Sequence, residues 1–147
     1  KTRIKLTFGN VQFVSKLINA SFPDYESVIP KDNNQTMTVD CKSFSETIDR
    51  VSTISDDKLR TVKFQILNNS CTVSSFGNDK SIGTETLDVD FNGSQISINF
   101  NARYILDVLG FINSGNVKFH FSDKTAPTII ESDSFKNNVI LIMQMRA

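Results

Sequence analysis

The chain has no excess of either charge: sixteen lysines and arginines balance sixteen aspartates and glutamates over 147 residues. A protein that grips phosphates tightly carries a basic excess or stripe, so charge alone argues against a DNA-binding surface. It argues more strongly against a sequence reader, which also needs side chains placed at base edges. Dividing the chain changes little, since residues 1–30 hold four basic and two acidic side chains and the remainder twelve and fourteen. Cysteine is scarce. Cys41 and Cys71 have no CxxC spacing and no histidine beside them, which argues against structural zinc and predicts two reduced thiols in a cytosolic protein. The single histidine, His120, falls on a predicted strand, Val117–Phe121, without a serine or cysteine motif, so no nucleophilic constellation is legible. No glycine-rich phosphate loop occurs, and Asn92-Gly93-Ser94 reads as a hairpin turn. The acidic pairs Asp56-Asp57 and Asp88/Asp90 fall in a loop and at a strand end, where solvation accounts for them. No apolar run approaches the roughly 18 residues that span a bilayer. The chain opens at Lys1 without methionine or apolar leader, from which we expect a cytoplasmic protein and a segment cut from inside a longer chain. No catalysis, metal or cofactor is expected.

What is present is a duplication. Residues 3–8 and 11–18 alternate apolar and polar around Gly9-Asn10, a two-residue hairpin. A connector over 19–30 follows, shaped by Pro23 and Pro30, each of which fixes its own φ and extends the residue before it. Then comes a strand near Met37–Val39 and a helix from about Ser43 to Ile54, with Ser43 as N-cap and Glu46 completing a capping box. Strands are predicted at Thr61–Leu67, Cys71–Phe76 and Thr84–Asp90, with Asn68-Asn69 as a turn. The order recurs as a strand at Gln95–Phe100, a helix from Asn101 to Ile112, and strands at Val117–Phe121, Thr128–Ile130 and Asn138–Met143. Phe44, Ile48 and Val51 match Tyr104, Val108 and Phe111, and Val62-Lys63-Phe64 recurs as Val117-Lys118-Phe119. The reading is one α+β domain of two strand–helix–three-strand units, both helices on one side of the strands. Each helix has a polar stripe: Lys42, Glu46, Asp49, Arg50 and Thr53 on the first, Arg103, Asp107, Gly110 and Ser114 on the second.

Three stretches carry a family resemblance: Leu17–Pro30 (LINASFPDYESVIP), Phe100–Leu109 (FNARYILDVL) and Met143-Gln144-Met145-Arg146. Together the chain resembles the beta subunit of bacterial DNA polymerase III, the replicative sliding clamp. The likeness extends over essentially the whole chain and corresponds to the family's C-terminal portion. It implies the DNA-clamp fold, with residues 1–22 as the closing hairpin of the middle domain plus the start of a connector, and 23–147 as the third domain. It further implies a processivity factor, not an enzyme. Two subunits of three similar domains would form a ring whose helices face duplex DNA. Lys42, Arg50 and Arg103 would then contact phosphate loosely. Enclosure needs little binding free energy, so a neutral lining suits such a ring.

The resemblance also implies a hydrophobic pocket for short linear peptides of polymerase, clamp-loader and repair proteins. Matching motifs assign to it Pro23, Val28, Asn101, Tyr104, Thr125, Pro127, Leu141, Met143, Met145 and Arg146. Met143 and Met145 suit a surface that accepts several partners. The sequence departs from the family's pattern at three places. Gln144 stands where a proline is common, Ala147 where a bulky aliphatic residue is common, and Ser27 where many members have arginine. The ring joint would use the end of the first helix, Thr53 and Ile54, and an edge strand carrying Ser81 and Glu85. The competing reading is a freestanding β-rich peptide-binding module with no role on DNA.

Overall fold

The computed structural model describes residues 2–55, 60–123, 125–136 and 138–145. The chain begins with the expected hairpin, β1 (Arg3–Phe8) and β2 (Val11–Lys16), closed by Phe8 opposite Val11. Gly9 supplies the left-handed φ of +54° that the tight turn needs. The register sets Ile4, Leu6, Phe8, Val11 and Phe13 on one face and Arg3, Lys5 and Lys16 on the other. This ribbon pairs with no other strand among the described residues, and its apolar face is open. The connector that follows bends through an edge-to-face contact of Phe22 with Tyr25 and a short 3-10 turn at Glu26–Val28.

The body consists of β3 (Gln35–Asp40), α1 (Cys41–Ser52), β4 (Thr61–Leu67), β5 (Ser70–Phe76), β6 (Ile82–Asp88), β7 (Asp90–Asn92), β8 (Ile96–Asn101), α2 (Ala102–Ile112), β9 (Asn116–Phe121), β10 (Thr128–Ser132) and β11 (Ile140–Ile142). Two antiparallel sheets result, ordered β11-β10-β9-β3-β7 and β6-β5-β4-β8. The helices pack against each other and against one continuous core that includes Phe44, Phe64, Phe100, Phe119 and Phe121. Asn68 and Asn69, with φ of 51° and 61°, make the expected turn between β4 and β5.

The two units exchange their first strands. β3 pairs with β9 of the second unit, and β8 pairs with β4 of the first. The first residue of each helix is tied across in the same way: Cys41 N–H donates to the Gly115 carbonyl (2.9 Å) and Ala102 N–H to the Arg60 carbonyl (2.8 Å). Arg60 and Gly115 both take positive φ, 41° and 73°. Even the chain end obeys the symmetry. β7 crosses from the edge of one sheet to pair with β3, and the tail beyond β11 crosses to β8, where Met145 N–H donates to the Asn99 carbonyl (2.8 Å).

Four expectations are corrected. The residues buried on α2 are Ala102, Ile105, Leu109 and Ile112, matching Cys41, Phe44, Ile48 and Val51 of α1. The register inferred from Tyr104, Val108 and Phe111 is therefore one residue off, because those apolar side chains form a second stripe outside the core. The N-cap of α1 is Asp40, whose carboxylate accepts from Ser43 N–H (2.8 Å), so Ser43 is the capped residue and not the cap. Asn92-Gly93-Ser94 is no hairpin: β7 pairs with β3 and β8 with β4, so the two strands belong to different sheets and the segment carries the chain from one to the other. The last strand ends at Ile142 because the tail leaves for the other sheet. Asp56 and Asp57 lie outside the described residues.

The Ser43 N–H and then its hydroxyl hold the Asp40 carboxyl below the usual aspartate range. Replacing Asp40 with Ala should lower stability by about 1 kcal/mol at neutral pH, whereas Glu46→Ala should cost much less. The stability due to a depressed carboxyl is present above the unfolded pKa of about 3.9 and is lost as pH falls through the folded value. Denaturant melts of the three proteins should therefore converge in acid. Equal losses at Asp40 and Glu46 would return the cap to Ser43.

Candidate functional site

The duplication provides an internal control for finding the site. On α1, the stripe beside the core is Ser43, Glu46, Thr47 and Arg50, and it is closed by a charged network. Arg50 donates to both Glu85 carboxylate oxygens on β6 (2.6 and 3.0 Å), Thr47 donates to the same carboxylate (2.9 Å), and Glu46 lies 3.9 Å from Arg50. The guanidinium and then the Thr47 hydroxyl hold the Glu85 carboxyl below its usual range. On α2 the same places hold Tyr104, Asp107, Val108 and Phe111. They are apolar apart from Asp107; Tyr104 is 60% and Phe111 59% exposed, while Val108 is partly buried against the core. One scaffold position is thus sealed in the first unit and left as a greasy groove in the second.

That groove has two lobes joined at Leu141. One, about 430 Å³, lies between α2 and β11 and is lined by Tyr104, Asp107, Val108, Ile140, Leu141, Ile142 and Met143. The other, about 440 Å³, lies between the connector and β11 and is lined by Tyr25, Val28, Ile29, Val139 and Leu141. Met143 is 61% exposed at the rim. Its backbone is steadied by the residues that follow. Gln144 donates through Nε2 to the Asp123 and Ala126 carbonyls (2.9 and 2.8 Å), and Met145 Sδ receives the Thr61 hydroxyl at 3.6 Å. Gln144, which stands where the resemblance would put a proline, thus restrains the tail through side-chain hydrogen bonds.

Of the expected pocket residues, Val28, Tyr104, Leu141 and Met143 line the lobes. Asn101 instead caps α2, accepting from Arg103 N–H at 3.0 Å. Thr125 is held by Asp123, and the Pro127 carbonyl accepts from Asn33 (2.9 Å). Pro23 is exposed and lines neither lobe. Met145 is turned toward Thr61 and β8. Arg146 lies outside the described residues. Sequence reasoning missed Asp107, Val108, Ile140, Ile142, Tyr25, Ile29 and Val139. The usable signal was the second apolar stripe on α2, which the repeat comparison sets against Phe44, Ile48 and Val51 of α1.

Among the basic residues, Lys42 and Arg103 stand exposed at equivalent places in the first turns of the two helices, while Arg50 is engaged by Glu85. Thr53, Ile54, Ser81 and Glu85 gather where α1 ends against β6. Gly83 sits close to them: a Cβ there would come within 2.8 Å of the Ile54 Cδ1 tip and 3.3 Å of the Val51 carbonyl oxygen. His120 joins two side chains on the outer face of its sheet: Thr36 Oγ1 is 3.0 Å from Nδ1, and Glu131 Oε2 is 3.2 Å from Nε2. Neither His120 nor Thr36 lines the groove.

Comparison with known proteins fits this geometry. Residues 26–146 match the family described as DNA polymerase III beta subunit, C-terminal domain. The beta sliding clamp of Caulobacter vibrioides is 38% identical over 128 residues, covering 87% of this chain and 34% of the relative. That of Vibrio cholerae is 31% identical over 145 residues, covering 99% and 40%. Among solved structures, Caulobacter crescentus pol III beta superposes with a TM-score of 0.92 at 34% identity over 99% of this chain and 40% of that one. A Pseudomonas aeruginosa sliding clamp bound to griselimycin superposes with a TM-score of 0.90 at 29% identity over 100% and 40%. The fold and the matched residues define a sliding-clamp domain. The chain belongs to the DNA polymerase III beta subunit family, and it spans about 34 to 40% of the length of the curated relatives it matches.

The closed stripe on α1 yields a pH test. Glu85, its carboxyl depressed by Arg50, contributes stability above an unfolded pKa of about 4.3 that is lost as pH falls through the folded value. Because the pair is largely exposed, Glu85→Gln should lower Tm only slightly at pH 7, and high salt should shrink the difference. Thermal melts should show the two proteins equal near pH 3. A gap that persisted in acid would remove the ion pair as its source.

Proposed function

We propose that this chain is the C-terminal portion of a ring-forming DNA replication clamp that tethers partner proteins through the α2–β11 groove. The observation that carries the reading is the apolar side of α2 at Tyr104 and Val108, which lines a groove while its counterpart on α1 is closed by Arg50 and Glu85. Short peptides with apolar anchors suit such a site, since a few buried side chains supply most of the affinity of a small interface. Polymerase, clamp-loader and repair proteins are the partners proposed, through linear motifs.

In this reading residues 1–22 close the preceding domain and 23–147 form the third. The open apolar face of the β1–β2 ribbon supports that division, because such a face calls for cover from chain outside these residues. Ring closure as a homodimer would use the edge strand β6 with Thr53, Ile54, Ser81 and Glu85. Lys42 and Arg103 would meet phosphate without sequence preference, and the balanced charge of the chain would keep that contact loose. The protein would work in the cytoplasm as a non-catalytic accessory of a DNA-directed DNA polymerase. The Thr36–His120–Glu131 line would then be a structural link across the outer face of its sheet.

Fluorescence titration with a labelled Gln-Leu-x-Leu-Phe peptide tests the site. Saturable binding is expected, weakened about tenfold, roughly 1.4 kcal/mol, by Met143→Ala and less by Met145→Ala, whose side chain faces Thr61. Absence of binding, or indifference to Met143→Ala, would remove the groove from the assignment.

A further inference from the structure

The two repeats differ in one charge relationship. On α1, Glu46 has Arg50 one turn along, at 3.9 Å, and Arg50 also bridges to Glu85. On α2 the acid is kept as Asp107, but the position of Arg50 is taken by Phe111. Asp107 consequently makes no ion pair or hydrogen bond among the described residues, and it is the only carboxylate among the residues lining the α2–β11 lobe. Beyond it the apolar surface continues, since Phe111 packs on Phe135 with ring centroids 4.5 Å apart and planes tilted by 35°.

We propose that Asp107 is a specificity-determining residue of the groove, selecting linear peptides that carry a lysine or arginine beside their apolar anchors. The inference rests on the peptide-docking reading above and names the class of peptide preferred. The incoming cation takes the place that Arg50 fills in the first unit. From Tyr104 to Phe111 the helix rises roughly 10 Å, a span that about three residues of extended peptide cover. A peptide anchored at Leu141 and Met143 can therefore set a basic side chain against Asp107 and an apolar one against the Phe111–Phe135 pair. Burial of the carboxylate beneath the peptide strengthens the attraction over its value in open solvent.

The test is a fluorescence anisotropy titration of the chain with Gln-Leu-Ser-Leu-Phe peptides. Their flanking residue, on either side, is Lys, Ala or Glu. The wild-type chain should bind the better Lys-flanked peptide at least threefold more tightly than the Ala form, and the Glu form more weakly than both. In Asp107→Asn the three should converge, with the folded state verified by circular dichroism. In 0.5 M salt the wild-type ranking should compress. Binding of all peptides with one affinity, or a ranking that survives Asp107→Asn, would overturn the inference and leave the docking reading intact. Failure of every peptide to bind would overturn both. Self-association of the chain that peptide does not reverse, lost in Asp107→Asn, would give the groove to a second copy and overturn the inference.

Discussion

Strand exchange between the two units is the constraint on which everything else rests. Because β3 completes the sheet of β9–β11 and β8 completes that of β4–β6, neither unit can satisfy its backbone alone. The paired hydrogen bonds from Cys41 and Ala102 to Gly115 and Arg60 fasten the two helix starts to the opposite halves. Helix positions are thereby fixed to within the tolerance of a shared core, and the stripe each helix leaves outside that core is fixed with them. Many of the pairings are far apart in sequence, so folding must close long loops before the core forms.

A symmetric scaffold makes its asymmetries informative. The core stripes of α1 and α2 are both apolar, and their caps, Asp40 and Asn101, are chemically alike. The flanking stripes are opposites: Thr47 and Arg50 are tied down by Glu85, with Glu46 beside Arg50, whereas Tyr104, Asp107 and Val108 line an open groove and Phe111 packs on Phe135 beyond it. Phe111 has a packing partner in Phe135, but the packing gives no reason for the exposed Tyr104 ring beside the groove. The proposed binding surface would use it.

Much of the fold was legible from residues. The hairpin at Gly9-Asn10, the turn at Asn68-Asn69 and the Val-Lys-Phe repeat follow from backbone conformation and period-two alternation, which are local. The cap at Asp40 was missed because Ser43 with Glu46 forms a local pattern of equal appeal, and only the helix start separates them. The repeat register slipped by one residue because α2 has two apolar stripes and hydrophobicity does not say which one is buried. Strand exchange was invisible because alternation identifies strands without naming their partners. The site was half legible. Val28, Tyr104, Leu141 and Met143 came from motif likeness, while Tyr25, Val139 and Ile140 depend on where the connector and β11 lie in space. The partners of His120, 84 and 11 residues away, escaped for the same reason.

The groove between α2 and β11, opened by the divergence of two otherwise matching helices, is the core of the functional account. Methyl-resolved NMR during peptide titration tests it most directly. The account predicts shifts at Val108, Ile140, Leu141 and Met143, with Thr47, Val51 and the methyl groups of β6 unmoved. Shifts centred on α1 and β6, or spread evenly over both helices, would contradict it.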